Sequence, residues 1–381
     1  LFPQVGLNAS VAREKLSPTT FGLSPSAFPL PPNFNLYQVG PTVSYALDLF
    51  GATRRQIEKD AALAELRAHE LDAATLTLSG NTVLEAIDLA SAEARIRAAD
   101  DIVALDRQNV ALVATARAAG SVPDSDVILT QSQLAADETL RPTLDQEASV
   151  ARHALAVLLG RAPAAFVPPG LRLTDLTLPP GLGVSLPSRL VHQRPDILAA
   201  EANLHAASAQ IGIATAQLYP AVTLSAGISS AALQPGQLFN PSTLIWSIAA
   251  GLAQPVFDGG MRESERQAAL AGFRAAAADY QQTVLDAFRQ VADLLQALVH
   301  DADLVAAQKR AVDTAAQAVA LQRYSYARGA SGLLDLLDVQ RQYQHALLGF
   351  IQAQAQRLRD TAQLLVAMGG SPPPELLSAA H

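Results

Sequence analysis

The sequence predicts a mixed fold, all-α apart from strands of a membrane β-barrel, with long helical hairpins and an internal two-fold repeat. Segment 1–5 (LFPQV) returns as segment 218–222 (LYPAV), and a turn glycine ends a very long helical run in each half, at Gly120 and at Gly329. Because the repeating unit is far longer than the roughly 20–50 residues of solenoid repeats, it is a duplicated domain-sized element. The other two observations are four segments with strand periodicity and two helices too long for a globular core.

The composition excludes several classes of protein. The 381 residues carry a net charge of −8, so no basic stripe is available for phosphate and no nucleic-acid partner is predicted. Without cysteine, no disulfide, thiol nucleophile or thiolate metal site can form among these residues. There is no apolar run of about 18 residues and no signal peptide. Since the second half has a helix-like segment before its LYPAV motif and the first half has none, we expect the natural protein to begin before Leu1.

Four segments alternate between apolar residues and small or polar residues, which is the period of a β-strand. Each is about ten residues long, the length that a tilted membrane strand needs. A sheet with one face on a soluble core shows the same alternation, but two matched hairpins favour the membrane. The apolar positions are Val5, Leu7, Ala9 and Val11; Tyr37, Val39, Val43, Tyr45, Leu47 and Leu49; Val222, Leu224, Ala226 and Ile228; and Leu244, Trp246, Ile248, Ala250 and Leu252.

Four strands cannot close a barrel, and an open sheet edge in lipid leaves backbone groups unpaired at a cost of several kcal/mol each. Strands that span a membrane are therefore shared among chains, and three chains would supply twelve strands, enough to enclose a pore. We expect the connections within the hairpins to be exposed tips, because they are rich in proline. These prolines are Pro18, Pro25, Pro29, Pro31 and Pro32 in the first hairpin and Pro235 and Pro241 in the second.

Helical periodicity follows each β-hairpin and continues for about 70 residues, or roughly 100 Å at 1.5 Å per residue. Runs of this length are typical of coiled coils, so a soluble coiled-coil scaffold with a β subdomain is the alternative from another class. Coiled coils, however, are usually rich in charged e and g positions, and only 16% of this chain is charged. Helices in a curved wall, each with a neighbour on both sides, fit the sparse charge better.

Each long helix is followed by a return helix of about 36 residues, predicted over 124–160 in the first half and 333–369 in the second. A further helix is predicted over 196–217. Pro195 suits its first turn, and Asp196 complements the positive end of its dipole. Because a return helix is only about half as long as a long helix, we expect this further helix to stack on a return helix and supply the missing length.

Short motifs recur in a recognisable order along essentially the whole chain. They are 47–51 (LDLFG), 158–163 (LLGRAP), 194–197 (RPDI), 218–220 (LYP), 255–260 (PVFDGG), 326–329 (YARG) and 335–338 (DLLD). Together they resemble the TolC-like outer-membrane efflux channel family, specifically its outer membrane efflux lipoprotein branch, the exit ducts of tripartite RND-type pumps. Each motif alone is weak, and the combination is strong. The lipid-bearing cysteine of that branch is not among these residues.

This resemblance implies a homotrimer in outer-membrane lipid, with a twelve-stranded barrel, a twelve-helix tunnel through the periplasm and an equatorial belt around the tunnel. The tunnel would dock a periplasmic adaptor protein and its inner-membrane efflux pump. The implied function is a passive exit duct for small solutes such as drugs or other toxic compounds. A duct for secreted polypeptides (type I secretion) is the alternative within the family, and the sequence does not name the cargo.

The chain is accordingly divided into seven segments in which β-hairpins alternate with helical hairpins. The boundaries are 1–50 for the first β-hairpin, 51–160 for the first periplasmic helical hairpin, 161–195 for an equatorial segment, 196–218 for the helix that completes the α-barrel, 219–257 for the second β-hairpin, 258–369 for the second helical hairpin and 370–381 for an equatorial C-terminal tail. No segment carries a catalytic, cofactor or metal pattern, so neither an enzyme nor a cofactor is expected.

The candidate site lies beyond the turns of the helical hairpins. Asp126 follows Gly120 at the same spacing as Asp335 follows Gly329, and Asp338 lies one helical turn after Asp335 on the same face. Three chains would place six carboxylates around one narrow axis, where they would attract cations. The residues alone also permit a plainer interpretation, because the helix dipole favours an acidic residue in the first turn by about 0.3–1 kcal/mol.

The resemblance assigns roles to these positions. Asp335 and Asp338 match the acidic constriction ring of the family, and Tyr326 and Asp126 match positions that latch neighbouring helices shut. The latch often includes a basic residue near the position where this chain has Ser331. That part of the lock is therefore expected to differ.

Overall fold

A computed structural model describes residues 2–15, 33–178 and 191–370. The chain forms two compact units, one made of Leu1–Leu66 with Ala200–Tyr280 and the other of Arg67–Ala199 with Gln281–His381. None of the described helices is apolar over a long enough stretch to cross a membrane. The prolines predicted at the first hairpin tip and the tail beyond Gly370 lie outside the described residues.

The helices and strands follow the order that the repeat predicts, and both long helices contain 67 residues. The seven predicted segment boundaries are functional divisions and stay predictions. The elements are β1 (Gln4–Glu14), β2 (Phe34–Leu47), α1 (Ala52–Ala118), α2 (Asp124–Glu138), α3 (Leu140–Leu158), α4 (Pro195–Ala216), β3 (Ala221–Ala232), β4 (Leu244–Ala253), α5 (Met261–Ala327) and α6 (Leu333–Ala367).

The first unit contains a four-stranded antiparallel sheet in the order β1-β2-β3-β4. Its register aligns the predicted apolar positions across all four strands. One row runs through Val5, Val43, Ala226 and Ile248. The adjacent row, whose side chains point to the opposite face, runs through Gly6, Thr42, Gly227 and Ser247. The sheet therefore has one continuous apolar face and one face of small and polar residues, as the alternation predicts.

Within the described part of the chain, the apolar face of this sheet is not covered by another layer. Val5, Trp246 and Ile248 are 73%, 71% and 78% exposed. Among the described strands, β1 pairs only with β2 and β4 pairs only with β3, so each outer strand has one edge of unpaired backbone groups. A sheet on a soluble core would bury its apolar side chains. The exposed apolar side chains and the unpaired outer edges therefore indicate that other molecules cover the face and pair with the edges.

The core of the second unit is built largely from alanine. One cluster joins α1 to α3 through residues such as Leu89, Ala148 and Ala156. Another joins α1 to α6 through residues such as Ile87, Ala90 and Ala355. Phe166 and Leu173, from the predicted equatorial segment, are buried in the first and second cluster respectively. Small side chains let the helix axes approach closely, which explains how a chain so rich in alanine packs without a thick core.

The first return helix is not continuous, contrary to the single helix predicted over 124–160. It breaks at Thr139, between α2 and α3, whereas α6 runs unbroken from Leu333 to Ala367. The physical reason is Pro142, which has no N–H to donate to the carbonyl of Glu138 and whose ring crowds that carbonyl. Thr139 satisfies the end of α2 in two ways, donating its N–H to Ala136 and Asp137 and its hydroxyl to Ala136 at 2.7 Å.

A substitution pair tests which face of the sheet meets lipid. We expect Ile248→Lys to reduce membrane assembly strongly, because a lysine on the lipid face costs up to about 2–4 kcal/mol. Ser247→Lys, on the opposite face of the same strand, should assemble nearly as well as wild type. The measurement is the fraction of membrane-extracted protein that forms the assembled species. Equal losses for the two variants would contradict the assignment of the faces.

Candidate gate at the tips of the helical hairpins

Each helical hairpin reverses at a glycine in the left-handed region of backbone space. Gly120 has φ of +75° and Gly329 has φ of +71°. The N–H of Gly329 donates to Tyr326 at 2.9 Å and the next N–H donates to Ser325 at 3.0 Å, and the first hairpin repeats both bonds. This pattern satisfies the last carbonyls of the long helix and stops it. The predicted tip turns at Gly120 and Gly329 are therefore where the helices end.

An ion pair closes the first tip. Arg117, in the last turn of α1, contacts Asp124, in the first turn of α2. This hydrogen bond to Arg117 lowers the pKa of the Asp124 carboxyl. Sequence analysis missed this pair, although opposite charges on the two sides of a turn glycine were a visible signal. In the equivalent position of the second half Tyr326 replaces the arginine, so the two tips differ chemically.

A small apolar cluster joins the two hairpins just behind their tips. Its buried members are Val113 on α1 and Leu333 and Leu337 on α6. Partly buried residues around it include Val122, Val127 and Tyr326. The cluster ties the start of α6 to both helices of the first hairpin. Buried apolar contacts therefore hold the helix ends that carry the acidic residues beyond the turns.

Tyr326 and Asp126 lie close enough to influence each other electrostatically. Burial raises the pKa of Tyr326, and the negative charge of Asp126 raises it further. Tyr326 is half-buried in the apolar cluster, and Asp126 is also half-buried. The structure therefore brings together the two residues that were predicted as latch positions, which lie on different hairpins.

Asp335 and Asp338 lie on the exposed side of α6. Among the described residues, no hydrogen bond or ion pair joins either of them to Asp126 or Tyr326. Asp335 accepts a hydrogen bond from the N–H of Gly332 at 3.2 Å, so it caps the first turn of α6. Asp338 accepts from Gln342 at 2.8 Å and lies 3.5 Å from Arg341. Both carboxylates remain open to solvent within one chain.

The position of Ser331 differs from the rest of the tip. Its hydroxyl oxygen is buried and has no hydrogen-bond partner among the described residues. No basic side chain stands there, in line with the departure noted in the sequence. The nearest basic residue along the chain is Arg328, whose guanidinium lies over the ring of Tyr324 at 3.7 Å. This stacking occupies the arginine on its own helix.

A groove of about 750 Å³ runs between α5 and α6, two or more helical turns back from the turn at Gly329. Asp338, Arg341 and His345 line it from α6, and Gln308 and Arg310 line it from α5. Its lining mixes both signs of charge with alanine, which is typical of a surface that packs against another helix and not of an enclosed ligand site. Asp338 therefore stands at the margin of a helix-sized groove.

Taken together, an uncovered β-sheet, alanine-packed long helices and acidic hairpin tips define a membrane channel, and comparison with known proteins agrees. The profile of the family described as outer membrane efflux protein matches residues 1–161 and 186–370. Nodulation protein T of Rhizobium leguminosarum bv. viciae is 30% identical over 367 residues, 96% of this chain and 76% of the relative. The pyoverdine export outer membrane protein OpmQ of Pseudomonas aeruginosa is 30% identical over 380 residues, 97% of this chain and 77% of the relative.

A solved structure of the outer-membrane channel OprN superposes with a TM-score of 0.89 at 29% identity, covering 97% of this chain and 82% of that one. The chain belongs to the outer membrane efflux protein family. It is the outer-membrane exit duct of a tripartite efflux system, with an α-barrel joined to a β-barrel, and it extends into the periplasm. Family members and structural neighbours are channels and not enzymes, which also decides against a soluble scaffold.

The pKa of Tyr326 offers a direct test of its proximity to Asp126. In Asp126→Asn we expect the phenol to ionise at lower pH than in wild type, because one of the two causes of its raised pKa is removed while burial remains. The measurement is an alkaline absorbance titration, with a Tyr326→Phe variant subtracted to isolate this tyrosine. Asp338→Asn is the control and should leave the titration unchanged. An identical titration in Asp126→Asn would contradict the arrangement.

The turn glycines can be tested against a helical glycine. Gly329→Ala should lower the free energy of unfolding by about 1–2 kcal/mol, because alanine is strained at positive φ. Gly272→Ala, inside α5 with open space around a new Cβ, should raise it by about 0.5–1 kcal/mol. Thermal unfolding of the detergent-solubilised protein measures both. Stabilisation in both variants would show that the tip does not require a left-handed residue.

Proposed function

We propose that three copies of this chain form the duct and that Asp335 and Asp338 close it as a ring of carboxylates. The observation that carries this proposal is their placement. Both are exposed on one face of α6, directly beyond the turn at Gly329. Residues three apart on a helix share a face, so three copies would present six carboxylates towards one axis. Neither carboxylate is neutralised by a buried partner, so the ring would concentrate cations and hinder anions.

Asp126 and Tyr326 are proposed to hold the tips in the closed arrangement. Their mutual electrostatic influence couples the first hairpin to the second at the level of the turn. The Arg117–Asp124 pair stiffens the first tip, and the apolar cluster behind both tips limits the directions in which they can move. Because Ser331 supplies no positive charge, this latch relies on packing and on Tyr326 more than on a salt bridge. Opening would then separate α2 from the start of α6.

The partners proposed are a periplasmic adaptor, an inner-membrane pump and outer-membrane lipid around the apolar face of the sheet. The cargo proposed is a small solute delivered by the pump. One relative is named for pyoverdine export, which supports a small molecule over a polypeptide. Export of secreted polypeptides remains the second candidate. A strain that lacks the duct should lose resistance to small toxic compounds, whereas loss of a secreted polypeptide alone would favour the second candidate.

The carboxylate ring predicts the ion selectivity of the purified channel. In planar bilayers, Asp335→Asn combined with Asp338→Asn should reduce the preference for cations several-fold and weaken block by divalent cations, because the ring loses its charge. Asp303→Asn, an exposed acidic position on α5 away from the tip, is the matched control and should behave as wild type. Unchanged selectivity in the double variant would remove these residues from the gate.

A further inference from the structure

A pair of buried carboxyl groups lies between α1 and α2, away from the proposed ring. Asp106 on α1 is 2% exposed and Asp137 on α2 is 8% exposed. Asp137 accepts hydrogen bonds from Gln133 at 2.8 Å and from Gln344 at 3.0 Å. Neither carboxylate oxygen of Asp106 has such a donor among the described residues. Asp106 instead contacts the carboxyl group of Asp137.

The groups that face this pair are neutral. Gln133 of α2 and Gln344 of α6 donate to Asp137 itself. About one helical turn along, Asn109 of α1 donates to Gln340 of α6 at 2.9 Å, and Nε2 of Gln340 has no partner among the described residues. The neighbouring charges on α1 and α2, Arg107 and Glu138, pair with each other at 2.9 Å on the exposed side. Within the described residues, therefore, no cation compensates a second negative charge. An uncompensated buried carboxylate is strongly unfavourable, so one of the two groups holds a proton.

The raised pKa of Asp106 agrees with this geometry. Burial raises the pKa of Asp106 to about 7, and its hydrogen bond and like charge with Asp137 act in the same direction. A proton on Asp106 can donate to the carboxylate of Asp137, which satisfies both groups at once. No cluster of three or more metal-binding side chains occurs in the described part of the chain. The ligand that fits the site is a single proton.

The pair adjoins the break in the first return helix. Asp137 lies two residues before Thr139, where α2 ends and α3 begins. α2 is thus a segment of 15 residues between the tip turn and an interruption of the helical hydrogen bonds at Thr139, whose backbone keeps helical angles (φ −70°, ψ −18°). It carries Asp126 in its first turn. Contacts that hold α2 against α1 and α6 therefore decide how firmly this part of the tip is held.

We propose that Asp106 and Asp137 form a proton-binding site that clasps α2 to α1 and α6, and that loss of the proton frees α2 to move about Thr139. The proton bridges two carboxyl oxygens, and when it leaves to solvent two like charges face each other without a counterion. Separation of α2 then relieves both the repulsion and the burial. The clasp stands independently of the proposed ring and would add sensitivity to periplasmic pH.

A second buried pair in the other hairpin provides an internal comparison. Asp301 on α5 and Asp360 on α6 are each 7% exposed, and Asp360 accepts from Gln356 at 2.9 Å. Burial raises the pKa of Asp301 to about 6, with Asp360 adding to the shift and the positive charges of Arg357 and Arg359 opposing it. α6 has no break near this pair. If the Asp301–Asp360 pair loses its proton, the nearby arginines compensate the negative charge. No helix break lies beside this pair, so no helix would be freed.

The test follows α2 by hydrogen exchange of the full chain in detergent. A carboxyl whose pKa is raised in the closed state stabilises that state fully below about pH 4, its ordinary value, and loses the effect as pH rises to about 7. After correction for intrinsic exchange, opening of α2 in wild type should rise by up to about tenfold per pH unit over this window and level off above it. Asp106→Asn keeps a donor to Asp137 without a charge, so its α2 should open equally at every pH.

Asp101→Asn, an exposed position on the same helix, is the matched control and should retain the wild-type profile. Asp301→Asn should also leave the profile of α2 unchanged. If Asp106→Asn fails to assemble, the wild-type protein alone still tests the proposal. In wild type, α2 must lose exchange protection as the pH rises, while the start of α6 must keep its protection. A flat wild-type profile, the same profile in Asp106→Asn, or protection restored at about pH 8 by millimolar Mg²⁺ or Ca²⁺ would overturn the proton site. Channel selectivity does not enter this measurement, so the ring and the clasp can fail separately.

Discussion

Backbone hydrogen bonding at the two open edges of the four-stranded sheet is the constraint on which the rest of the molecule depends. Among the described strands, β1 and β4 each have one unpaired edge, and lipid offers no donor or acceptor to satisfy it. Strands from other copies, as in the proposed trimer, would pair with these edges. Once the sheet is closed, alternation gives every strand one face for lipid and one for water. Assembly therefore follows from hydrogen bonding before any side-chain contact between copies is considered.

The helical part meets a different constraint, the close approach of very long helices. Buried positions such as Ala90 and Ala156 have no exposed surface, and in the clusters around them alanine alternates with larger side chains such as Leu89 and Ile351. Small residues allow each helix to touch a neighbour on two sides, as a wall requires. Polar side chains are also buried between these closely packed helices. Asn109 and Gln340, for example, are joined by a hydrogen bond of 2.9 Å. The amide oxygen of Gln340 is satisfied by this bond, whereas its Nε2 is buried without a partner among the described residues.

Acidic residues act according to their depth in this structure. At the tips, Asp335 and Asp338 are exposed, and their side chains suit a role towards ions. Deeper in the first hairpin, Asp106 is enclosed beside Asp137 and suits a role towards a proton. α2 lies between these two depths, because it carries Asp126 near the tip and Asp137 beside the interruption that Pro142 causes. One helix thus links the proton site to the candidate gate.

Local signals in the sequence determined the elements: alternation set β1 to β4, and the turn glycines Gly120 and Gly329 set the ends of α1 and α5. These signals act over a few residues, so they can be read without the fold. The break at Thr139 was also locally visible, because Pro142 is its cause, although the prediction of one continuous helix overlooked it. The contact of Asp106 with Asp137 and the electrostatic influence of Asp126 on Tyr326 were decided only by the tertiary structure. Each contact joins residues on different helices, and which faces meet depends on the packing of all the helices together.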